Sequence, residues 1–177
     1  MKKQIILAIA TFLLCSLHIS AQTLDIEELS DGNSLVRIPA PQQTRYLLLP
    51  IEEKAPEATI KVICENSFVQ SYNVRLALDK VDYYVPLDLT EWRGREIKLL
   101  IHLFLDRTNG RDILNEICWS KMKLSETFDK TNREKFRPKY HHTPEYGWMN
   151  DPNGMFYLNG EWHLYYQWGP LGSMWNN

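Results

Sequence analysis

Trp148-Met149-Asn150-Asp151-Pro152-Asn153-Gly154-Met155-Phe156-Tyr157-Leu158-Asn159-Gly160-Glu161-Trp162-His163-Leu164-Tyr165-Tyr166-Gln167 is the stretch whose reading decides the fold. Asn159-Gly160 between two aromatic runs is the strongest short-range signal for a two-residue hairpin, because both positions of such a turn need positive φ. Residues 155–158 and 161–167 are therefore expected to pair as antiparallel strands. Closing the loop at Asn159-Gly160 sets Leu158 opposite Glu161, Tyr157 opposite Trp162 and Phe156 opposite His163. Asp151-Pro152-Asn153-Gly154 fits a type I turn position by position, with Asp first, Pro second and Gly fourth. Continuing the register brings Trp148, Asn150, Asp151 and Gln167 to the open end of the hairpin. That is a carboxylate in a polar cluster ringed by aromatics.

Composition sets this tail apart. Residues 139–177 hold ten of the chain's 21 Phe, Tyr and Trp side chains. So dense an aromatic run forms either a tight core or a surface that faces sugar rings. The 177 residues carry 20 basic and 22 acidic side chains, a formal net charge of −2, and 44% are hydrophobic. There is enough apolar material for a packed core, and no basic excess of the kind that meets nucleic-acid phosphates.

Upstream, the chain reads as short strands punctuated by Pro39, Pro41, Pro50, Pro56 and Pro86, which are expected at strand ends or edges. Candidate strands are residues 34–38, 44–49, 59–64, 68–76, 82–87 and 96–105. Ile60, Val62 and Cys64 alternate onto one face, as period-2 burial requires. Residues 112–121 are the one ambiguous stretch. The expected fold class is all-β, with residues 24–125 forming a β-sandwich and residues 126–138, polar and without apolar periodicity, acting as a linker. Trp92 and Trp119 are either buried structural rings or sugar-stacking platforms, the former by the usual placement of Trp. Arg111-Asp112 and Glu116-Ile117-Cys118 read as ordinary loop and strand polarity.

The first 21 residues have the parts of a secretory signal peptide: Lys2 and Lys3, an apolar run from Ile5 to Leu17, and Ala21 before the expected cut. The run is shorter than the roughly 20 residues a membrane-spanning helix needs. Lipoprotein anchoring at Cys15 is the alternative, but Leu13-Leu14 lacks the small residue that such processing favours. Export to the periplasm or beyond would allow Cys64 and Cys118 to bridge, though their spacing matches no zinc or redox motif, and two unbridged thiols in strands is the simpler expectation. His141 and His142 are adjacent, so on an extended segment they point apart and cannot readily share a metal.

The string His141-His142-Thr143-Pro144-Glu145-Tyr146-Gly147-Trp148-Met149-Asn150-Asp151-Pro152-Asn153-Gly154, then His163-Leu164-Tyr165-Tyr166-Gln167 and Gly172-Ser173-Met174-Trp175, closely resembles the start of the catalytic domain of glycoside hydrolase family 32, the β-fructosidases. Residues 24–125 are similar to an uncharacterised β domain that often precedes bacterial members. The resemblance implies that residues 139–177 are the first strands of a five-bladed β-propeller, incomplete here. It implies a retaining mechanism on fructan or sucrose, with Asp151 as the nucleophile and Trp148, Asn150, Gln167 and Trp175 lining the fructose pocket, and no metal or other cofactor. The family's acid/base Glu, in a Glu-Cys pair, and its Arg-Asp-Pro motif find no match after Asp151, so the fragment alone is expected to be inactive. Other readings are a fructosyl transferase on the same scaffold, or a carbohydrate-binding module. Linkage preference, exo or endo action and oligomeric state have no signal in these residues.

Overall fold

A computed structural model describes residues 24–30, 33–38, 44–104, 112–131 and 137–172. The expected signal peptide with Cys15 and Ala21, and the family position Trp175, lie outside the described residues. The chain is all-β in character. One five-stranded antiparallel sheet runs in the order β1 (Asp25–Glu28), β2 (Ser34–Ile38), β7 (Ile97–Leu103), β4 (Ala58–Cys64), β5 (Ser67–Val74). A three-stranded sheet runs β6 (Tyr83–Asp88), β3 (Tyr46–Ile51), β8 (Lys123–Ser125), and a separate hairpin pairs β9 (Trp148–Leu158) with β10 (Glu161–Gly169).

Alternation in the sequence explains the larger sheet. Along β2, β4 and β7 every second residue is buried, so Val36 and Ile38, Ile60 and Val62, and Ile97, Leu99 and Ile101 line one face. Leu47, Leu49 and Ile51 from β3 and Val85 and Leu87 from β6 join the same apolar cluster, which packs the two sheets together as a sandwich. β3 is buried along its whole length, on both faces, because Tyr46, Leu48 and Pro50 are covered as well.

Pro50 and Pro86 sit inside strands rather than at their ends. Pro50 is tolerated because β8 pairs with β3 only over residues 46–48; at position 50 that side needs only the proline carbonyl, which accepts from the Ala77 amide at 3.0 Å. Pro86 lies on β6, an edge of the three-stranded sheet. The ambiguous stretch forms a 3-10 turn over Ile113–Asn115 and then one short helix, α1 (Ile117–Lys121). Cys118 is therefore on a helix, a correction to its expected place in a strand: Ile117, Cys118 and Trp119 fold inward as a single turn rather than alternating. Asp112 caps the 3-10 turn, its carboxylate accepting from the Leu114 amide at 3.0 Å. Cys118 and Cys64 are both buried and unbridged.

Trp92 and Trp119 are 6% and 7% exposed, structural rings rather than platforms. The Trp119 indole N–H donates to the Ile113 carbonyl. Glu52 is the most informative buried polar group of the sandwich. Its carboxylate accepts from the amides of Leu78 and Asp79 at 3.0 Å and Lys80 at 3.4 Å, pinning the β5–β6 connection.

Candidate functional site

The hairpin forms with the register that Asn159-Gly160 dictates. Both turn residues have positive φ, 52° and 90°, and Leu158, Tyr157 and Phe156 face Glu161, Trp162 and His163. The expected type I turn at residues 151–154 is not there. Instead β9 runs unbroken from Trp148 to Leu158 and absorbs two extra residues relative to β10. Met155 faces Leu164 and Asn153 faces Tyr165, so Gly154 is the first extra residue; Asn150 faces Gln167, so the second lies at Asp151-Pro152. The positive φ values fall at those places, 67° at Gly154 and 40° at Asp151. Asp-Pro-Asn-Gly has turn chemistry, but an aromatic partner strand captures it, and the same left-handed preferences are spent on β-bulges.

The two bulges have a positional consequence. An unbroken register would set Pro152 opposite Gln167; the bulges slide the strand by two residues and set Asn150 there. Directly paired residues have Cα atoms about 4.5–5.5 Å apart, so Asn150 and Gln167 are immediate neighbours. Trp148 faces Gly169 two residues further on. Asp151 occupies the bulge that follows Asn150, before the Asn153–Tyr165 pair, and is exposed, while Trp148 and Asn150 are half-buried and Gln167 is exposed. The Asn150 side-chain Nδ2 is buried and, among the described residues, has no hydrogen-bond partner. A buried donor left unsatisfied costs about 1–3 kcal/mol. Glu161 stands at the far end of the hairpin, seven residues along β9 from Asp151, roughly 20 Å at about 3.3 Å per residue.

His142 packs its ring against Tyr166 at 5.4 Å, and both His141 and His142 are exposed. Among the described residues no group of three or more His, Cys, Asp or Glu side chains is placed to hold a metal ion.

Residues with no site role in the sequence reading turn out to fix the hairpin in place. Tyr46, Phe128, Tyr146 and Trp168 form a ladder of edge-on ring contacts with centroids 5.3, 5.2 and 5.2 Å apart, running from β3 through the linker to β10. Burial inside this ladder, with the Asp88 carboxylate nearby, pushes the Tyr146 hydroxyl up to about 12. Leu171, just past β10, is fully buried in the sandwich's own apolar cluster. Gly147 has φ 77°, and a Cβ there would lie 2.4 Å from the Gly169 carbonyl oxygen. Gly147 was legible only as part of the motif string; Trp168 and Leu171 had no signal beyond being apolar at the end of a strand. Phe128 and Lys130 are themselves held in place: Lys130 sits 4.9 Å over the Phe128 ring and pairs with Glu145.

Comparison with known proteins places these observations. Residues 30–140, well over half of the chain, match the family described as domain of unknown function DUF4980. Residues 141–177 match the glycosyl hydrolases family 32 N-terminal domain. The chain belongs to the DUF4980 family, and its residues 141–177 are similar to the N-terminal domain of glycosyl hydrolases family 32. The chain is 62% identical over 42 residues to levanase of Bacillus subtilis (strain 168), 24% of this chain and 6% of that enzyme. It is 56% identical over 39 residues to fructan 6-exohydrolase of Triticum aestivum, 22% and 6% respectively. Against invertase 1 of Saccharomyces cerevisiae the identity is 51% over 47 residues, 25% and 9%. The chain thus spans less than a tenth of the length of these family 32 relatives. No solved structure matches. Among the described residues no helix is long and apolar enough to cross a membrane.

Proposed function

We propose that these residues form the N-terminal part of an exported retaining glycoside hydrolase that releases fructose from β-fructans or sucrose. In this reading residues 24–125 are a sandwich domain, 126–138 the connection, and 139–177 the opening of the catalytic propeller. Asp151 attacks the anomeric carbon of the terminal fructosyl unit while a second carboxylate protonates the departing oxygen. That second group then removes a proton from the water that releases fructose. Asn150 and Gln167 donate and accept hydrogen bonds to fructose hydroxyls, and Trp148 and Trp175 form apolar walls.

The observation that carries the reading is the bulge at Asp151. A carboxylate held at φ 40° beside a buried donor with no partner among the described residues is a local arrangement that costs stability twice. Such costs persist where a ligand is to be met. The hairpin's two faces add support. Phe156 and Tyr165 on one side, and Tyr157 and Trp162 on the other, are 42–69% exposed. A strand pair apolar on both faces suits a sheet packed between neighbours, as propeller blades are.

Glu161 is the only carboxylate after Asp151 in these 177 residues. At roughly 20 Å along the strand it is far beyond the about 5–5.5 Å that separates the two carboxyl groups of a retaining glycosidase. We therefore assign the acid/base to a residue outside this chain and expect the 177 residues alone to release no fructose. The test is product analysis of the full-length enzyme carrying these residues, on levan, inulin and sucrose. Free fructose as the main product supports hydrolysis. Chain extension on sucrose would make it a transferase, and no consumption of any of the three would overturn the reading.

A further inference from the structure

A cavity of about 420 Å³ lies where the sandwich meets the base of the hairpin, within the range of about 300–1,000 Å³ usual for small-molecule sites. Its lining draws Arg45, Gln70, Asp88 and Glu91 from the sandwich and Tyr146 and Trp168 from the tail. We propose that this cavity is an accessory saccharide subsite that holds a segment of β-fructan away from the bond being cleaved. The identity of the sugar rests on the fructosidase reading; the saccharide chemistry does not.

Trp168 is the platform. It is 45% exposed, yet its orientation is fixed, because its indole N–H donates to the Tyr146 carbonyl at 2.7 Å and its ring meets the Tyr146 ring edge-on. An indole held this way offers a preorganised apolar face to the C–H side of a sugar ring. Around it stand planar polar groups of both kinds. Arg45 and Asp88 pair at 3.3 Å but are 47% and 32% exposed, so donors and lone pairs remain for a ligand. Gln70, Thr90 and Glu91 are exposed beside them.

This lining selects among ligand classes. Two carboxylates around one guanidinium disfavour an anion. A purely apolar ligand would strip water from the Arg45–Asp88 pair with nothing in return. Hydroxyl groups, which donate and accept, suit both members of the pair. Position supports the same use. Trp168 directly follows Gln167 on β10, and successive strand residues face opposite sides. The cavity therefore lies on the side of the hairpin away from Gln167, where an occupant does not compete for the proposed fructose pocket.

The test is the Gln70→Ala/Glu91→Ala double variant of the full-length enzyme, since both side chains are exposed and neither belongs to the proposed catalytic set. Two readouts are needed: retardation in native gels containing levan or inulin, and kinetics on polymer against sucrose. We expect the wild type to be retarded and the variant to lose most of that retardation. KM for the polymer should rise about 5- to 10-fold, as loss of one or two hydrogen bonds would give, with sucrose turnover unchanged. An unretarded wild type, unchanged retardation in the variant, or an equal loss on sucrose would overturn the subsite. Absence of fructose release by the wild type would instead strike the fructosidase reading, and the gels would still read the subsite.

Discussion

The indole nitrogen of Trp168 donates to the Tyr146 carbonyl oxygen at 2.7 Å, closing the base of the hairpin against the segment that leads into it. With Phe128 and Tyr46 packed edge-on behind, this bond makes the sandwich the foundation of the strand that carries Asp151. Each aromatic contact is worth about 0.5–1.5 kcal/mol beyond simple burial. Shortening Phe128 to Ala should break two of them at once. We expect a loss of about 2–3 kcal/mol in urea unfolding of the chain and faster amide exchange across residues 148–150 and 167–169. Unchanged exchange there would mean the hairpin base does not depend on the ladder.

Leu171 tests the same foundation from the core. It is fully buried among sandwich residues, so Leu171→Ala should cost about 2–5 kcal/mol, while Leu114→Ala, at an exposed position, should cost little. Matching urea midpoints for the two variants would remove Leu171 from the core.

Gly147 is constrained for a different reason. Its φ of 77° is unfavourable for any side chain, and the Gly169 carbonyl occupies the space a methyl group needs. Gly147→Ala is expected to destabilise by more than about 1 kcal/mol and to open the chain to protease between the sandwich and β9. A variant as protease-resistant as the wild type would show that the approach of Gly147 to Gly169 is dispensable.

Glu52 gives the sandwich a pH dependence with a definite sign. Burial pushes its carboxyl up, but the three backbone amides of Asp79, Leu78 and Lys80 outweigh that and hold it below its ordinary 4.5. A group depressed in the folded state stabilises fully above its unfolded value and loses that contribution as pH falls through the folded one. Acid unfolding of the wild type should therefore steepen below about pH 4.5. Glu52→Gln should be less stable at pH 7 and flatter through that window, and an identical pH profile for the two would contradict the role given to the carboxylate.

The buried thiols make a simpler prediction. Burial, then the nearby Glu116, pushes the Cys118 thiol up to about 12, and Cys64 is 4% exposed. Neither should react with a thiol reagent at pH 8 until the chain is unfolded, when both should react without prior reduction. Need for a reductant would show that they bridge.

The sequence carried the sandwich because β2, β4 and β7 alternate cleanly and because turn residues bound them. It carried the hairpin because Asn159-Gly160 admits few other conformations. It misled at residues 151–154, where four residues ideal for a turn are held in a strand by the pairing of Asn153 with Tyr165 and of the flanking Met155 and Asn150 with Leu164 and Gln167. Local preference there is worth less than cross-strand pairing. Cys118 was misplaced for a related reason, since a single helical turn is too short to display a period. The ladder through Phe128 and Trp168 was invisible because its ring contacts join residues 18 to 82 positions apart, which no local pattern displays. Asn150 facing Gln167 was half legible: the open end was right, and the bulges that set the partner were not.

Asp151 is the residue on which the account depends, and its backbone makes the decisive variant a clean one. Asn tolerates φ near 40° as readily as Asp, so Asp151→Asn removes the proposed nucleophile without disturbing the bulge. Fructose release from sucrose by the full-length enzyme with this substitution is the measurement. The account predicts a fall of about 10⁴-fold or more with an unchanged unfolding midpoint; turnover equal to the wild type would contradict it.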